Sequence, residues 1–252
     1  MVSLIQAVIL SIVQGITEWF PVSSSGHLAL LQHFFGFQNL SFDIFLHLAS
    51  VLAIIVFFWE DLIKMFSLKR ENLGYIFKIL IALIPAGILG ILFRDYIASL
   101  FDNLFFLGVF FIFSGIIIYA TKFTTAMKKD INFSDSLFIG FFQAVALFPG
   151  ISRSGMTISS GLFRALDRNE AVKFSFLLAI PVILGASFLE TKNIISLDMS
   201  YSILLVSFLL TFITSLITIK FLINIVKHDK FYLFGWYNIV LGILVVVWTF
   251  II

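Results

Sequence analysis

The chain contains no cysteine. That absence excludes disulfides, thiolate chemistry and Cys-ligated metals together. Charge is also scarce: Asp, Glu, Lys and Arg make up 12% of the 252 residues, where a soluble domain carries about 25%. Proline occurs four times, as Pro21, Pro85, Pro149 and Pro181. The first residues lack a basic n-region and a small-residue cleavage site, so Val2 to Val13 are expected to be mature structure and not a signal peptide. Rings of acidic residues and filter-like carbonyl sequences are missing, which argues against an ion channel.

What fills the chain instead is apolar. Hydrophobic residues reach 61% and mean hydropathy is +1.12. The apolar runs are helix-length, not the ~10-residue alternating segments of a membrane barrel. The reading is an all-α integral membrane protein. Six stretches are long enough to cross ~30 Å of hydrocarbon: Phe42 to Trp59, Leu73 to Phe93, Leu104 to Thr121, Ala171 to Leu189, Tyr201 to Ile219 and Phe231 to Ile252. Pro85 and Pro181 fall inside two of them, which membrane helices tolerate when neighbours satisfy the freed carbonyl. The 33 Phe need no cofactor to explain them; they face lipid or fill the core.

Two polar islands interrupt this pattern: "QGITEWFPVSSSGHL" (Gln14 to Leu28) and "FPGISRSGMT" (Phe148 to Thr157). Each is flanked by apolar segments of 10 to 12 residues, Val2 to Val13 with Leu28 to Phe37, and Leu137 to Phe148 with Met156 to Leu166. That length predicts two re-entrant helix-turn-helix elements that enter and leave by one face. Following this path, Lys64, Lys69, Arg70, Lys122, Lys128, Lys129, Arg164, Arg168, Lys173, Lys220, Lys227 and Lys230 fall on one side, with only Arg94 and Lys192 on the other. The positive-inside rule makes the basic side cytoplasmic and puts both termini outside. The clusters Lys64-Lys69-Arg70 and Lys122-Lys128-Lys129 read as anchors near anionic lipid.

The halves also match at a shift of 127 to 130 residues: Phe20-Pro21 with Phe148-Pro149, Gly26 with Gly155, Phe58 and Glu60 with Phe188 and Glu190, Gly108 and Gly115 with Gly235 and Gly242. Three spans per half invert the second relative to the first. The expectation is a single membrane domain, 1–252, built of inverted repeats of approximately 1–126 and 127–252. Such repeats place their site where the two broken elements meet. The paired Gly spacing suits close helix contact, within or between subunits.

Polar groups at membrane depth are candidates for function. In the second island, Pro149 and Gly150 break a helix and Ser152, Arg153, Ser154 and Gly155 open the next. Free N–H groups, a planar guanidinium and the hydroxyls of Ser152, Ser154 and Thr157 suit a phosphate. In the first, Gln14 and Glu18 share a helix face, Pro21 ends that helix, and Ser23, Ser24 and Ser25 form the turn. The spacing of Ser24 and His27 lets an imidazole approach a hydroxyl, and a carboxylate that orients it or holds a metal completes an acid-base set. Ser24 can be nucleophile or phosphate ligand, and Ser23 and Ser25 stay in contention. The plainer readings are a hydrogen-bonded core histidine at His27 and a structural carboxyl at Glu18. His47 can face the pocket or pack in the core, and Asp43 is expected at the interface.

These two motifs resemble those of the undecaprenyl pyrophosphate phosphatases: "QGITEWFPVSSSGHL" is similar to their first motif and "PGISRSGMT" to their phosphate-binding second, with "FLHLAS" at the start of the first span. The likeness covers essentially the whole chain. It implies a multi-pass enzyme of the bacterial inner membrane, its site opening to the outer face, that converts undecaprenyl pyrophosphate to the monophosphate and recycles the cell-wall lipid carrier, an activity tied to bacitracin resistance. The implied catalytic residues are Glu18, Ser24, His27 and Arg153, with Gln14, Ser23, Ser25, Gly150, Ser152, Ser154 and Thr157 as substrate-binding candidates. It also implies a divalent cation, Mg²⁺ or Ca²⁺, held by Glu18 and Gln14 with the substrate's phosphates. Gln14 stands where the family motif also admits Glu, and an amide is the weaker ligand. Expected partners are the polyprenyl pyrophosphate, membrane lipids and a second copy in a homodimer, with no nucleic acid. The alternative is a polyprenyl-phosphate flippase or transporter using the same pocket, since paired re-entrant repeats are transporter architecture.

Overall fold

The computed structural model describes residues 2–65, 67, 70–125, 128, 130–189 and 199–251. Lys69, Lys129, Glu190 and Lys192, used in the charge and repeat readings, lie outside the described residues, as does Ile252. Among the described residues the chain is helical, with one isolated bridge between Lys128 and Leu166. In order the helices are α1 (Leu4–Thr17), α2 (Ser24–Phe35), α3 (Leu40–Phe57), α4 (Trp59–Met65), α5 (Arg70–Leu92), α6 (Arg94–Ser99), α7 (Leu104–Ala120), α8 (Phe133–Val145), α9 (Arg153–Phe163), α10 (Arg168–Leu189), α11 (Tyr201–Lys227) and α12 (Leu233–Trp248).

Five of these segments are long and apolar enough to cross a membrane: Leu40–Phe57, Asn72–Leu92, Leu104–Phe123, Arg168–Leu189 and Tyr201–Lys227. The sixth expected span is shorter than the sequence suggested. α12 has 16 residues, about 24 Å at 1.5 Å per residue, and the chain turns at Thr249 to Ile251. The apolar flanks of the two islands form α1, α2, α8 and α9, of 14, 12, 13 and 11 residues. At about 16 to 21 Å none reaches across the hydrocarbon.

Local sequence sets these lengths. Ser3 and Gln6 form a capping box at the head of α1, and Asn132 and Asp135 form the same box at the head of α8. α1 stops ahead of Pro21, which has no N–H to donate. α2 ends at Gly36, whose φ of 71° closes it in the left-handed region. Pro85 and Pro181 sit inside α5 and α10, which continue through them. One turn before Pro85, the Ala82 carbonyl accepts from Gln143 Nε2 of α8 at 3.4 Å.

The short helices pair with long ones from the other half of the chain. α1 lies along α11, α8 along α5, and α7 along α12. In the last pair the glycines mesh: a Cβ on Gly108 would stand 2.9 Å from the Gly242 carbonyl, and one on Gly115 2.7 Å from that of Gly235. The Gly spacing read from the sequence thus serves contact within one chain. Between lipid-embedded helices the hydrophobic effect gives little net attraction, so close packing and buried hydroxyls hold the interfaces. Thr211 donates to the Ser11 carbonyl at 3.0 Å and Ser215 to Ser50 Oγ at 3.1 Å, bonds of roughly 0.6 kcal/mol each in such settings. The largest core cluster joins Trp19, Phe174 and Phe176 to α3, α9, α10 and α11. Outward faces stay apolar, with Ile91, Phe188 and Phe250 three-quarters or more exposed.

Candidate active site

The tips of the two short hairpins, α1–α2 and α8–α9, meet inside the bundle. A Cβ on Gly26 would lie 3.1 Å from the Gly150 Cα and 2.5 Å from the Phe111 ring. Gly150 has φ 90°, and a Cβ there would strike the Leu107 carbonyl at 2.6 Å, so both islands bring a glycine to the contact because nothing larger fits. Ser154 Oγ donates to the Phe20 carbonyl at 3.2 Å, and Asn238 Nδ2 of α12 to the Pro21 carbonyl at 2.7 Å. The Ser152 N–H donates to Ser114 Oγ of α7 at 3.2 Å. Ser23 holds φ 66° at the N-cap of α2, a left-handed conformation costly for a residue with a side chain and often found at functional sites.

Glu18 is the centre of the polar cluster. Its Oε1 accepts from Arg153 Nη2 at 2.7 Å, across 135 residues of sequence. Its Oε2 accepts from Ser24 Oγ at 2.6 Å and from Gln14 Nε2 at 3.1 Å, and His47 Nε2 lies 3.2 Å from the same oxygen. Glu18 is 6% exposed. Breaking such a buried pair from one side costs about 3–5 kcal/mol, because the remaining charge is stranded. His47 Nδ1 faces the Asp43 carbonyl at 2.7 Å. A carbonyl can only accept, so Nδ1 carries a proton. Nε2 then faces the Glu18 carboxylate.

His27 sits elsewhere. Its Nδ1 meets the Ser23 carbonyl at 2.8 Å and its Nε2 the Tyr237 hydroxyl at 2.7 Å. The spacing that puts Ser24 and His27 on one helix face does not join their polar atoms; the partner of Ser24 is Glu18, and the imidazole on Glu18 is His47. Ser23 Oγ accepts from the Gly26 N–H at 3.3 Å and lies 3.4 Å from Ser25 Oγ. Ser152 caps α9 through the Gly155 N–H at 3.0 Å, with Ser154 Oγ 3.2 Å away. Thr157 bonds Ser175 of α10 at 2.6 Å and braces α9 from behind.

Two polar atoms of the cluster are buried without a partner among the described residues: Arg153 Nη1 and Gln14 Oε1. One is a cationic donor, the other an acceptor, and buried groups of this kind ordinarily find partners. Arg153 also stacks over Trp19 at 5.6 Å, which fixes the guanidinium plane. As for a metal, no group of three or more His, Cys, Asp or Glu able to hold one occurs among the described residues. The pair named from the sequence offers one carboxylate, Glu18, and one amide oxygen, Gln14 Oε1, with the Ser24 hydroxyl and the His47 imidazole beside the carboxylate. Mg²⁺ typically takes one or two carboxylates and completes its shell with water and substrate phosphate, and these residues fit that donor set.

Reasoning from sequence left His47 undecided and passed over Tyr237, Asn238 and Ser114. Asn238 did carry a signal, as an amide within an otherwise apolar final helix. Tyr237 gave none, being one aromatic among many.

A family model described as "Bacitracin resistance protein BacA" matches residues 7–244. An undecaprenyl-diphosphatase of Methanosphaera stadtmanae is 36% identical over 271 residues, covering 98% of both chains. That of Thermosipho africanus is 40% identical, covering 94% of this chain and 97% of its own. Undecaprenyl-diphosphatase 1 of Shouchella clausii is 41% identical, covering 96% and 95%. With two hairpin tips joined at Glu18 and Arg153 and this likeness running nearly end to end, the chain belongs to the BacA bacitracin-resistance family.

Proposed function

We propose that this protein is an integral membrane phosphatase that hydrolyses undecaprenyl pyrophosphate to undecaprenyl phosphate and inorganic phosphate, and so returns the lipid carrier to cell-wall synthesis. The relatives carry that activity in their names. The observation that carries the reading to particular atoms is the Arg153–Glu18 bond with a free Nη1 beside it.

Arg153 Nη1 takes an oxygen of the terminal phosphate, and the N–H groups opening α9 add their partial positive charge. Ser24 Oγ attacks the terminal phosphorus while Glu18 Oε2, already at hydrogen-bond distance, receives its proton. The new bond is Oγ–P; the bond that breaks joins phosphorus to the bridging oxygen, which leaves with the lipid monophosphate. Water then attacks the phosphoserine, Glu18 supplies the proton that Oγ regains, and phosphate departs. In the variant route Ser24 positions a water that Glu18 deprotonates, with the same products. His47 Nε2 faces the Glu18 carboxylate, and His27 holds the turn through Ser23 and Tyr237. A divalent cation, if it arrives with the substrate, would be held by Glu18 and Gln14 and would supply charge that neutralises the pyrophosphate.

The finer architecture is part of the proposal. The short hairpins are re-entrant, α12 is the sixth span, and 1–126 and 127–252 are inverted repeats of one domain. Matched capping boxes and reciprocal pairing of α1 with α11 and α8 with α5 support this. The charge bias supports an inner-membrane placement with both termini and the site's mouth outside. A homodimer remains part of the reading.

The test is phosphate release by detergent-purified protein from undecaprenyl pyrophosphate, with and without EDTA. One phosphate per lipid, lowered by EDTA and restored by Mg²⁺ or Ca²⁺, is expected. No release from the intact protein contradicts the activity. Release unchanged in Ser24→Ala contradicts the covalent route.

A further inference from the structure

Two cavities share one lining residue, Lys230, and basic side chains gather at the first. The first, about 450 Å³, lies between the end of α7, the head of α10 and the α11–α12 turn; Lys122, Arg168, His228, Asp229 and Lys230 line it. Asp229 pairs with Arg168. Lys122 stands over the rings of Tyr119 and Tyr232 at 5.8 and 5.4 Å. Among the described residues, neither Lys122 nor Lys230 has a carboxylate partner. Three cations against one acid leave a net charge of two with His228 neutral.

The second cavity, about 590 Å³, is an apolar groove between the end of α1 and the start of α12. Ile16, Phe20, Val22, Leu233 and Phe234 form its walls. Lys230 and Tyr237, the residue that bonds His27, line it too. Lys230 thus borders both the basic cavity and the greasy groove.

We infer that the two cavities form a second lipid site, distinct from the Glu18–Arg153 cluster, that takes a lipid phosphomonoester. The head sits against Lys122, Arg168 and Lys230, and one hydrocarbon chain lies in the groove. Charge selects the class: a phosphomonoester carries about −1.5 to −2 at neutral pH, which matches the surplus of two, whereas a phospholipid diester brings a single negative charge and two chains. Free phosphate leaves the groove unused. Basic pockets between membrane helices are established seats for lipid heads.

The test uses geranylgeranyl monophosphate as the probe, bound to purified Arg153→Ala protein and read by native mass spectrometry. That variant lacks the guanidinium of the first site, so the result does not depend on the phosphatase reading. The probe should bind it, and binding should weaken at least tenfold when Lys122→Gln and Lys230→Gln are added. Lys122→Arg with Lys230→Arg should restore it, which separates charge from misfolding. Leu233→Trp, filling the groove, should weaken the probe as well. Inorganic phosphate, geranylgeraniol and phosphatidylglycerol should each bind at least tenfold less tightly. If Arg153→Ala proves unstable, the number of probe molecules bound per otherwise wild-type chain should fall by one with the paired Gln changes. Equal binding with and without the two lysines overturns the inference, and so does phosphatidylglycerol or free phosphate binding as tightly as the probe.

Discussion

The two hairpins begin alike and end differently. α1 and α8 open with the same capping box and each lies along a long helix from the other half. At their bases they diverge. The second is clamped: Asp135 accepts from Lys128 at 2.6 Å and from Arg164 at 2.8 Å, and the Lys128 backbone bridges to Ala165 and Asp167. The first has Ser3 and Gln6 at the matching places and no ion pair there among the described residues. Their second helices differ in the same sense. α9 is buried from Ser154 to Leu162, whereas α2 alternates buried with partly exposed positions. One hairpin is a fixed platform that presents a guanidinium. The other, with fewer such ties, carries Glu18 and Ser24. Under the proposed mechanism this division suits the chemistry, since anion binding gains from preorganisation and release of product requires something to yield.

The largest expected effects lie where the hairpins touch. Arg153→Ala should lower kcat/KM for phosphate release by about 10²–10³, the usual cost of one preorganised electrostatic donor. Gly150→Ala should be next. Its φ of 90° and the Leu107 carbonyl at 2.6 Å leave no room for a methyl, so thermal stability should fall by roughly 1–3 kcal/mol with activity. Gly26→Ala meets a phenyl ring at its closest contact, and rings can shift; its loss should be the smaller of the two. An opposite order in melting temperature would mean that the first hairpin, not the second, is the rigid one.

The clamp gives a pH signature. Burial pushes the Asp135 carboxyl up, but hydrogen bonds from Lys128 and Arg164 outweigh it, so its pKa lies below the ordinary 3.8. A folded-state pKa below the unfolded value contributes stability that is full above the unfolded value and lost as pH falls through the folded one. Melting of the wild type should therefore decline as pH drops below about 4, and Asp135→Asn should flatten that part of the curve while lowering stability at pH 7. The smallest effects belong to the caps. Ser3→Ala and Asn132→Ala should each cost about 1 kcal/mol, with Asn132→Ala the larger because its box partner is Asp135.

Much of this could be read from the sequence where one signal dominated. The islands stood out because Glu18, Arg153 and the Ser-rich turns are costly in an apolar chain, and their meeting followed from the matched shift of Phe-Pro and Gly. The helix breaks followed from Pro21 and Gly150. What stayed hidden depended on rotation about a helix axis. His27 lies on the first helix after Glu18 and His47 on the second, and residue spacing alone does not say which ring turns toward it. The length of α12 was also beyond reach, since apolar residues continue to the end of the chain whether or not the helix does. The clamp at Asp135 rests on Lys128 approaching across a loop, a contact with no periodic signal.

The central claim is that Glu18 and Arg153 act as one unit, joined across the two hairpins. A double-mutant cycle measures this directly, using kcat/KM for phosphate release by Glu18→Ala, Arg153→Ala and the double variant. If the two act together, the double variant should be about as impaired as the worse single, leaving a coupling of several kcal/mol. Losses that multiply, with no coupling beyond about 0.5 kcal/mol, would show two independent sites and contradict the account.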